Sequence, residues 1–335
     1  MATTYYWISS TASTWNTAAN WSLSSGGSGG AGVPSVDDTA KFDANGAGNC
    51  TLDVDLGGGT LADGTYTPSS GIDKIEASGY PGTLDFGGYD VDSTNGITGF
   101  DGNLTWGSGQ IAVSGALDVR DFGTNGNLLF YGNLTYNAGP YTQRFASCLV
   151  AENAVVSNKK QSGYASAYYG LVASDLDLYG RINQDDAAYS VLYSSGTGDI
   201  NIHPNGEIHL NATCTYTVTA SGIPVRCDGT IEGKLNVYKS ATISGDWTSA
   251  SLVRMGSTSV GSPTIGADAV LPDLDLEAPA ASAYSYAFTD GAQLQGDMTA
   301  IDNGGGVTLT GKLGLSGTAD QYIDLGAADS SGLTI

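Results

Sequence analysis

The stretch GNLTWGSGQIAVSGALDV, residues 102–119, contains three short apolar–x–apolar units separated by the segments Gly-Ser-Gly-Gln and Ser-Gly-Ala. The units are Leu104-Thr105-Trp106, Ile111-Ala112-Val113 and Leu117-Asp118-Val119. Alternation with a period of two places both apolar side chains of a unit on one face of a β-strand. Each unit is therefore predicted to be a short strand with one buried face.

The same unit recurs along the whole chain. Further examples are Leu84-Asp85-Phe86, Leu134-Thr135-Tyr136, Leu176-Asp177-Leu178, Ile200-Asn201-Ile202, Ile208-His209-Leu210, Leu235-Asn236-Val237, Leu274-Asp275-Leu276, Val307-Thr308-Leu309, Leu313-Gly314-Leu315 and Ile323-Asp324-Leu325. Some segments also echo one another, as when GNLTW (102–106) returns as GNLTY (132–136). Short repeated strands of this kind are typical of a β-solenoid, in which each coil stacks on the previous one. We predict roughly ten to twelve coils of about 20 to 30 residues.

The composition supports an all-β fold. The 335-residue chain has 49 glycines, and 41% of its residues are apolar, which argues against disorder. Of the 34 acidic residues only five are glutamate, so most are aspartate, a turn residue. We predict a right-handed β-solenoid over residues 49–335, with an N-terminal Trp-rich cap over residues 1–48 and loop insertions near residues 156–170 and 277–290. The alternative is a pair of tandem β-sandwich or jelly-roll domains.

The net charge of −22 disfavours two classes of partner. Nucleic-acid binding needs a basic surface that replaces counterions, and anionic membranes repel acidic proteins. No apolar run approaches the roughly 20 residues that a spanning helix needs. The opening MATTYYWISS has neither the basic region nor the apolar core of a secretory signal, so as a native start it predicts folding in a cytoplasm.

The first fifty residues predict a structural cap. An open end of a solenoid needs cover for its apolar core and its backbone edge. Trp7, Trp15 and Trp21 are predicted to plug that end. Asp37 and Asp38 are predicted to accept backbone hydrogen bonds in the turn before the next strand.

These same residues carry a resemblance. The order Trp, Asn-Trp-Ser, Gly-Ala-Gly-Val-Pro, Asp-Asp, Phe-Asp and Cys-Thr-Leu over residues 7–54 resembles the start of many glycine-rich β-solenoid proteins. They include autotransporter-like secreted passengers and structural proteins of tailed bacteriophages. Secreted relatives would need a signal peptide, so the resemblance implies the phage-like group, whose members fold in the host cytoplasm and assemble onto a particle.

Several acidic and histidine groupings are candidate sites of chemistry. His203 and His209 with Glu207 are too few ligands for a confident metal site, and surface strand positions explain them better. Glycan-cleaving enzymes need two carboxylates about 5 to 9 Å apart. The loosely matching pairs are Asp53 with Asp55, Asp90 with Asp92, and Asp185 with Asp186. Structural turns are the better interpretation of each pair.

Two further groupings of potential metal ligands do not predict a metal site either. Asp90, Asp92 and Asn95 do not have the spacing of a calcium-binding EF-hand loop. The four cysteines contain no CxxC pair and are predicted to be buried thiols rather than a zinc site; they are Cys50, Cys148, Cys214 and Cys227. We therefore predict no catalytic residue, no cofactor and no metal.

Two tyrosine clusters are candidates for surface contacts. They are Tyr164, Tyr168 and Tyr169 in the first predicted insertion, and Tyr284 and Tyr286 in the second. Exposed tyrosines anchor protein interfaces, and their rings stack on sugars. The alternative is that these side chains pack against the strands themselves.

The functional expectation is a non-enzymatic structural protein of a tailed-phage virion. It would be a capsid decoration protein, a head fibre or a tail-associated fibre that docks on other virion proteins and forms a homo-oligomer, a trimer being one form. A host surface glycan is a further candidate partner, whereas nucleic acid and membrane are not expected. The alternatives are a glycan-binding or glycan-cleaving β-helix protein (a depolymerase) and a secreted, extracellular adhesin.

Overall fold

The computed structural model describes residues 2–101, 103–120, 127–138, 144–160, 172–184, 191–194, 200–210, 215–218, 224–227, 230–232, 234–237, 242–250, 252–255, 263–278, 284–302, 306–318, 320–326 and 328–335. Within these ranges the protein is all-β, and its only helix is a 3-10 turn at Ala18–Asn20. The chain divides into two compact units, Met1–Leu171 and Val172–Ile335, where the sequence predicted one domain with a cap.

Sixteen described strands belong to the first unit. They are β1 (Thr4–Trp7), β2 (Ser13–Thr14), β3 (Trp21–Ser22), β4 (Thr39–Asp43), β5 (Cys50–Thr51), β6 (Gly59–Ala62), β7 (Thr65–Pro68), β8 (Lys74–Ser78), β9 (Leu84–Asp85), β10 (Val91–Ser93), β11 (Ile97–Asp101), β12 (Leu104–Thr105), β13 (Gln110–Arg120), β14 (Asn127–Ala138), β15 (Arg144–Val150) and β16 (Val155–Lys160).

The remaining described strands belong to the second unit. They are β17 (Val172–Leu178), β18 (Arg181–Gln184), β19 (Val191–Ser194), β20 (Ile200–Ile202), β21 (Glu207–Leu210), β22 (Thr215–Val218), β23 (Pro224–Cys227), β24 (Thr230–Glu232), β25 (Lys234–Val237), β26 (Thr242–Gly245), β27 (Leu252–Met255), β28 (Thr264–Ile265), β29 (Val270–Leu271), β30 (Leu274–Ala278), β31 (Tyr284–Phe288), β32 (Gln293–Leu294), β33 (Met298–Asp302), β34 (Val307–Lys312), β35 (Gly314–Leu315), β36 (Ile323–Asp324) and β37 (Asp329–Thr334).

Parallel pairing organises the first unit into three ladders. The first ladder runs β1–β4–β8–β11, then through the second halves of β13 and β14 to β16. The second ladder runs β2–β5–β9–β12. The third ladder begins with a single bridge at Leu56 and continues through β10, the first halves of β13 and β14, and β15.

Register stacks apolar side chains along each ladder. One column of the first ladder consists of Ala40, Ile75, Ile97, Leu117 and Tyr136, which pair in that order and are all buried. Burying such side chains stabilises each by about 1.5–3 kcal/mol relative to exposure. The apolar–x–apolar units therefore hold the strands in register, because a slip of one residue would turn every apolar side chain to the other face.

The second unit repeats this arrangement. One ladder runs β17–β20–β23–β26–β28–β31–β34–β37, and a second runs β19–β22–β25–β27–β30–β33–β36. Shorter runs are β18–β21–β24 and β29–β32–β35. Along the longest ladder, from Leu176 to Leu333, paired residues lie 18 to 25 residues apart in sequence.

Glycine has a role that turn preference alone does not explain. Gly311 pairs with Phe288 of the neighbouring strand and has a φ of 98°. A Cβ at this position would collide with the carbonyl oxygen of Phe288. Glycine is therefore required here both for the backbone conformation and for the close approach of the next strand.

The predicted loop insertions are wrong where the structure describes them. Val155–Lys160 is strand β16, and Tyr284–Phe288 is strand β31 with alternating buried side chains. The Ala- and Ser-rich composition concealed a period of two in this second segment. Residues 161–170 of the first predicted insertion lie outside the described residues.

Candidate functional site

The three predicted cap tryptophans form one buried cluster. Trp7, Trp15 and Trp21 are all 0% exposed. The ring centroids of Trp7 and Trp21 are 5.2 Å apart and those of Trp15 and Trp21 are 4.8 Å apart, both edge-to-face. Phe42 lies among them, with ring centroids 5.6 to 6.1 Å from the three indoles. Edge-to-face pairs add about 0.5–1.5 kcal/mol each beyond the area they bury.

The three indole N–H groups differ in their partners. Trp7 Nε1 donates to the carbonyl oxygen of Gly48 at 2.9 Å, and Trp21 Nε1 donates to that of Trp15 at 2.7 Å. Trp15 Nε1 is buried and has no acceptor within the described part of the chain. A buried donor without an acceptor costs about 1–3 kcal/mol.

Asp38 performs the predicted turn role. Its Oδ1 accepts the backbone N–H of Thr3 at 3.0 Å, and its Oδ2 accepts that of Ser35 at 3.0 Å. Strand β4 begins at the next residue. The neighbouring Asp37 takes a left-handed backbone conformation, with a φ of 63°, and its N–H donates to the carbonyl oxygen of Gly71.

The second tyrosine cluster is not a surface. Tyr284 and Tyr286 are 1% and 0% exposed, and their rings stack at 5.7 Å. Tyr286 donates its hydroxyl to the carbonyl oxygen of Met255 at 2.8 Å. The prediction that this pair contacts partners or sugars is therefore wrong, because both residues occupy inward positions of β31. Tyr164, Tyr168 and Tyr169 lie outside the described residues.

Asp92 is a fully buried carboxylate in the first unit. It is 0% exposed and accepts hydrogen bonds from the hydroxyls of Tyr66, at 2.9 Å, and Tyr131. Burial raises the pKa of Asp92, and the two tyrosine hydrogen bonds offset part of that increase. Tyr66 belongs to β7, which among the described strands pairs with β6 alone, in an antiparallel hairpin outside the three ladders. The network thus fastens this hairpin to the third ladder.

Other aspartates brace neighbouring strands. Asp55 Oδ1 accepts the backbone N–H of Asp90 at 2.9 Å, and Asp90 Oδ1 accepts that of Gln110 at 2.7 Å. The second unit repeats the pattern, since Asp273 Oδ1 accepts the N–H of Asp297 and Asp297 Oδ1 accepts that of Tyr322. Each brace joins residues 20 to 35 positions apart. The abundance of aspartate thus has a structural use, which local turn patterns did not indicate.

His203 of the histidine grouping contacts an aspartate and a tyrosine. His203 Nε2 lies 3.0 Å from Asp177 Oδ1, and the imidazole stacks on Tyr179 at 3.7 Å. His209 lies in β21, where it pairs with Asn183. Across the part of the chain that the structure describes, no group of three metal-binding side chains occurs. Asp185 and Asp186 fall outside that part.

The cysteines agree with the prediction as far as they are described. Cys50, Cys148 and Cys227 are buried, and burial raises the pKa of the Cys50 thiol well above its ordinary value. Cys214 lies outside the described residues.

Comparisons with known proteins add no relative. No family model, no curated protein and no solved structure matches this chain. Among the described residues no helix is long and apolar enough to cross a membrane.

Proposed function

We propose that the chain is a right-handed β-solenoid that serves as a non-enzymatic structural protein. Successive parallel strands that lie about one coil apart in sequence support the solenoid, and crossovers between parallel strands are right-handed in nearly all proteins. Jelly rolls and sandwiches are built from antiparallel strands instead. The solenoid architecture is proposed for each of the two compact units by itself.

The observation that carries the structural role is the use of the aspartates. Asp55, Asp90, Asp273 and Asp297 each accept a backbone N–H from a residue at or just before the start of the next strand of the stack. The buried Asp92 is satisfied by two tyrosine hydroxyls. These carboxylates therefore stabilise the fold, whereas a glycan-cleaving enzyme needs a pair that faces a cleft together.

The specific role that we propose is a surface component of a tailed-phage virion. It would be a capsid decoration protein, a head fibre or a tail-associated fibre that docks by protein contacts and forms a homo-oligomer. The support is the resemblance of residues 7–54 to the start of such proteins, together with the structural use of the acidic residues.

Immunogold electron microscopy of particles from the source tests this role. An antibody to the chain is expected to label capsids or tails and to show which surface the protein occupies. Bare particles with antigen in the medium or on cells would overturn the virion role and favour the adhesin. Loss of polysaccharide viscosity on incubation with the purified chain would favour the depolymerase.

A further inference from the structure

A cavity of about 300 Å³ opens in the first unit, beside the tryptophan cluster. Trp15, residues 33–36 and residues 54–57 form most of its lining, and Ile72 completes the apolar part. Val36 and Val54 are 51% and 38% exposed, although large apolar side chains of this unit are mostly buried. The cavity is therefore lined by both apolar and polar atoms, two of its valines are partly exposed to water, and its volume lies at the lower end of ligand pockets.

The cavity lies where the third ladder begins. Leu56 donates its N–H to Asp90 and accepts the N–H of Asp92, which forms its bridge to Val91. In a parallel pair, alternate residues direct their backbone groups to opposite sides. The backbone N–H and C=O of Asp55 are therefore directed away from Val91, and the described chain supplies no hydrogen-bond partner for them. An open backbone edge of this kind accepts an extended segment as an added strand.

Trp15 supplies an independent indication of a ligand. Trp15 is one of the residues that line the cavity, and its indole N–H is the one in the tryptophan cluster that lacks an acceptor in the described chain. A carbonyl oxygen is the acceptor that the other two indoles use. Because Nε1 is buried in the free protein, a wall residue must shift slightly before an acceptor can reach it.

The charge around the cavity defines the flanks of the occupant. Asp37, Asp53 and Asp55 are exposed and adjoin the two rim valines in sequence. Asp53 and Asp55 each use one oxygen to accept a backbone N–H, so each keeps its second oxygen and its charge exposed to a partner. In a chain of net charge −22 this favours lysine or arginine on either side of the inserted residue.

We propose that this cavity binds an extended peptide segment of a partner protein. A valine or isoleucine side chain fills the cavity, a backbone carbonyl accepts the Trp15 N–H, and flanking basic residues face the three aspartates. The site does not depend on the virion role, so either proposal can fail without the other.

The test is a titration of the ¹⁵N-labelled chain with the peptide N-acetyl-Lys-Thr-Val-Thr-Lys-amide. The Trp15 indole N–H signal, assigned by its absence in Trp15→Phe, is expected to shift downfield and to saturate, while the Trp7 and Trp21 signals stay in place. The matched peptide with glycine for valine, and a second with glutamate for lysine, are expected to bind at least about tenfold more weakly.

Surface variants separate binding from folding. Val36→Asp and Val54→Asp are expected to weaken binding by about tenfold or more, and the fold should tolerate both because these side chains are partly exposed. Leu23→Asp is the matched control, since Leu23 is 61% exposed and does not line the cavity. The proposal is overturned if the Trp15 signal does not move, if the glycine peptide binds equally well, or if Leu23→Asp weakens binding as much as Val54→Asp. It is also overturned if the signal moves with protein concentration alone, because the occupant is then a second copy.

Discussion

The first and last strands of the chain both lie at the end of a parallel ladder, but they differ in whether a second strand pairs with their other side. Strand β1 pairs in parallel with β4 and on its other side in antiparallel with β3, where Trp7 faces Trp21. Strands β36 and β37 pair on one side only within the described chain. Burial also differs, because Trp7 of β1 is 0% exposed, whereas Leu315 of β35 is 46% exposed and Tyr322, the residue before β36, is 65% exposed.

This difference shows that the apolar–x–apolar unit specifies a strand but not its burial. Leu84-Asp85-Phe86 and Leu313-Gly314-Leu315 follow the same pattern, yet Leu84 and Phe86 are 0% exposed and Leu315 is 46% exposed. Leu84 has ladder partners on both sides, Cys50 and Leu104, whereas Leu315 pairs with Leu294 alone among the described residues. The stabilising effect of a given residue type should therefore depend on its position along the stack.

The largest effect is expected at the centre of the aromatic cluster. Phe42 contacts the rings of all three cap tryptophans and also those of Tyr80 and Phe100. Phe42→Ala leaves a cavity among these rings and is expected to lower the free energy of unfolding by about 3–5 kcal/mol. Urea unfolding followed by tryptophan fluorescence measures it. A loss below about 1 kcal/mol would mean that the aromatic cluster contributes less to the stability of the protein than its packing indicates.

Two leucines from apolar–x–apolar units, one buried and one partly exposed, test whether burial decides the contribution to stability. Leu84→Ala in β9 removes a fully buried side chain and is expected to cost about 2–5 kcal/mol. Leu315→Ala in β35 removes a side chain that is already 46% exposed and is expected to cost less than about 1 kcal/mol. Unfolding curves of the two variants check the ratio. Equal losses would mean that Leu315 is covered in solution, for instance by a second copy.

The sequence predicted the all-β class, the strands at the apolar–x–apolar units and the tryptophan cluster, because period-two alternation is a local signal. It did not predict which strands pair. Leu104 of GNLTW pairs with Leu84, whereas Leu134 of GNLTY pairs with Gly115 and Val156. Pairing requires only apolar side chains that fit, so stacked neighbours need not resemble one another in sequence.

The polar contacts could not be predicted from the sequence for a related reason. Tyr66 and Tyr131 lie 26 and 39 residues from Asp92, and each aspartate brace spans a whole turn of the stack. No local pattern connects residues at such separations. Composition also misled the prediction for Tyr284–Phe288, although its alternating aromatic residues carried the strand signal.

A pH effect distinguishes the buried carboxylate from the exposed ones. Burial raises the pKa of Asp92, so the folded state binds this proton more tightly than the unfolded state does. The contribution to stability is therefore full below the unfolded pKa of about 3.9 and is lost as the pH rises through the folded pKa, by about 1.4 kcal/mol for each unit of increase. The Asp92→Asn variant has no ionisable group at this position, so it should not show this loss. Its free energy of unfolding should therefore rise relative to that of the wild type as the pH increases from acid to neutral. The same change at the exposed Asp297 is the control, and an equal gain there would contradict the assignment to Asp92.

The smallest effect is expected from single braces, and it should be similar in both units. Asp90→Ala removes the acceptor for the Gln110 N–H, and Asp297→Ala removes the acceptor for the Tyr322 N–H. Both bonds are exposed, so water replaces the lost acceptor and each variant should lose about 0.5–1 kcal/mol. Hydrogen exchange at the Gln110 and Tyr322 amides locates the effect, because the freed N–H should exchange faster while amides in distant ladder positions keep their rates. Unchanged exchange at both amides would mean that the aspartates do not join neighbouring strands, and it would remove the main support for a structural use of the acidic residues.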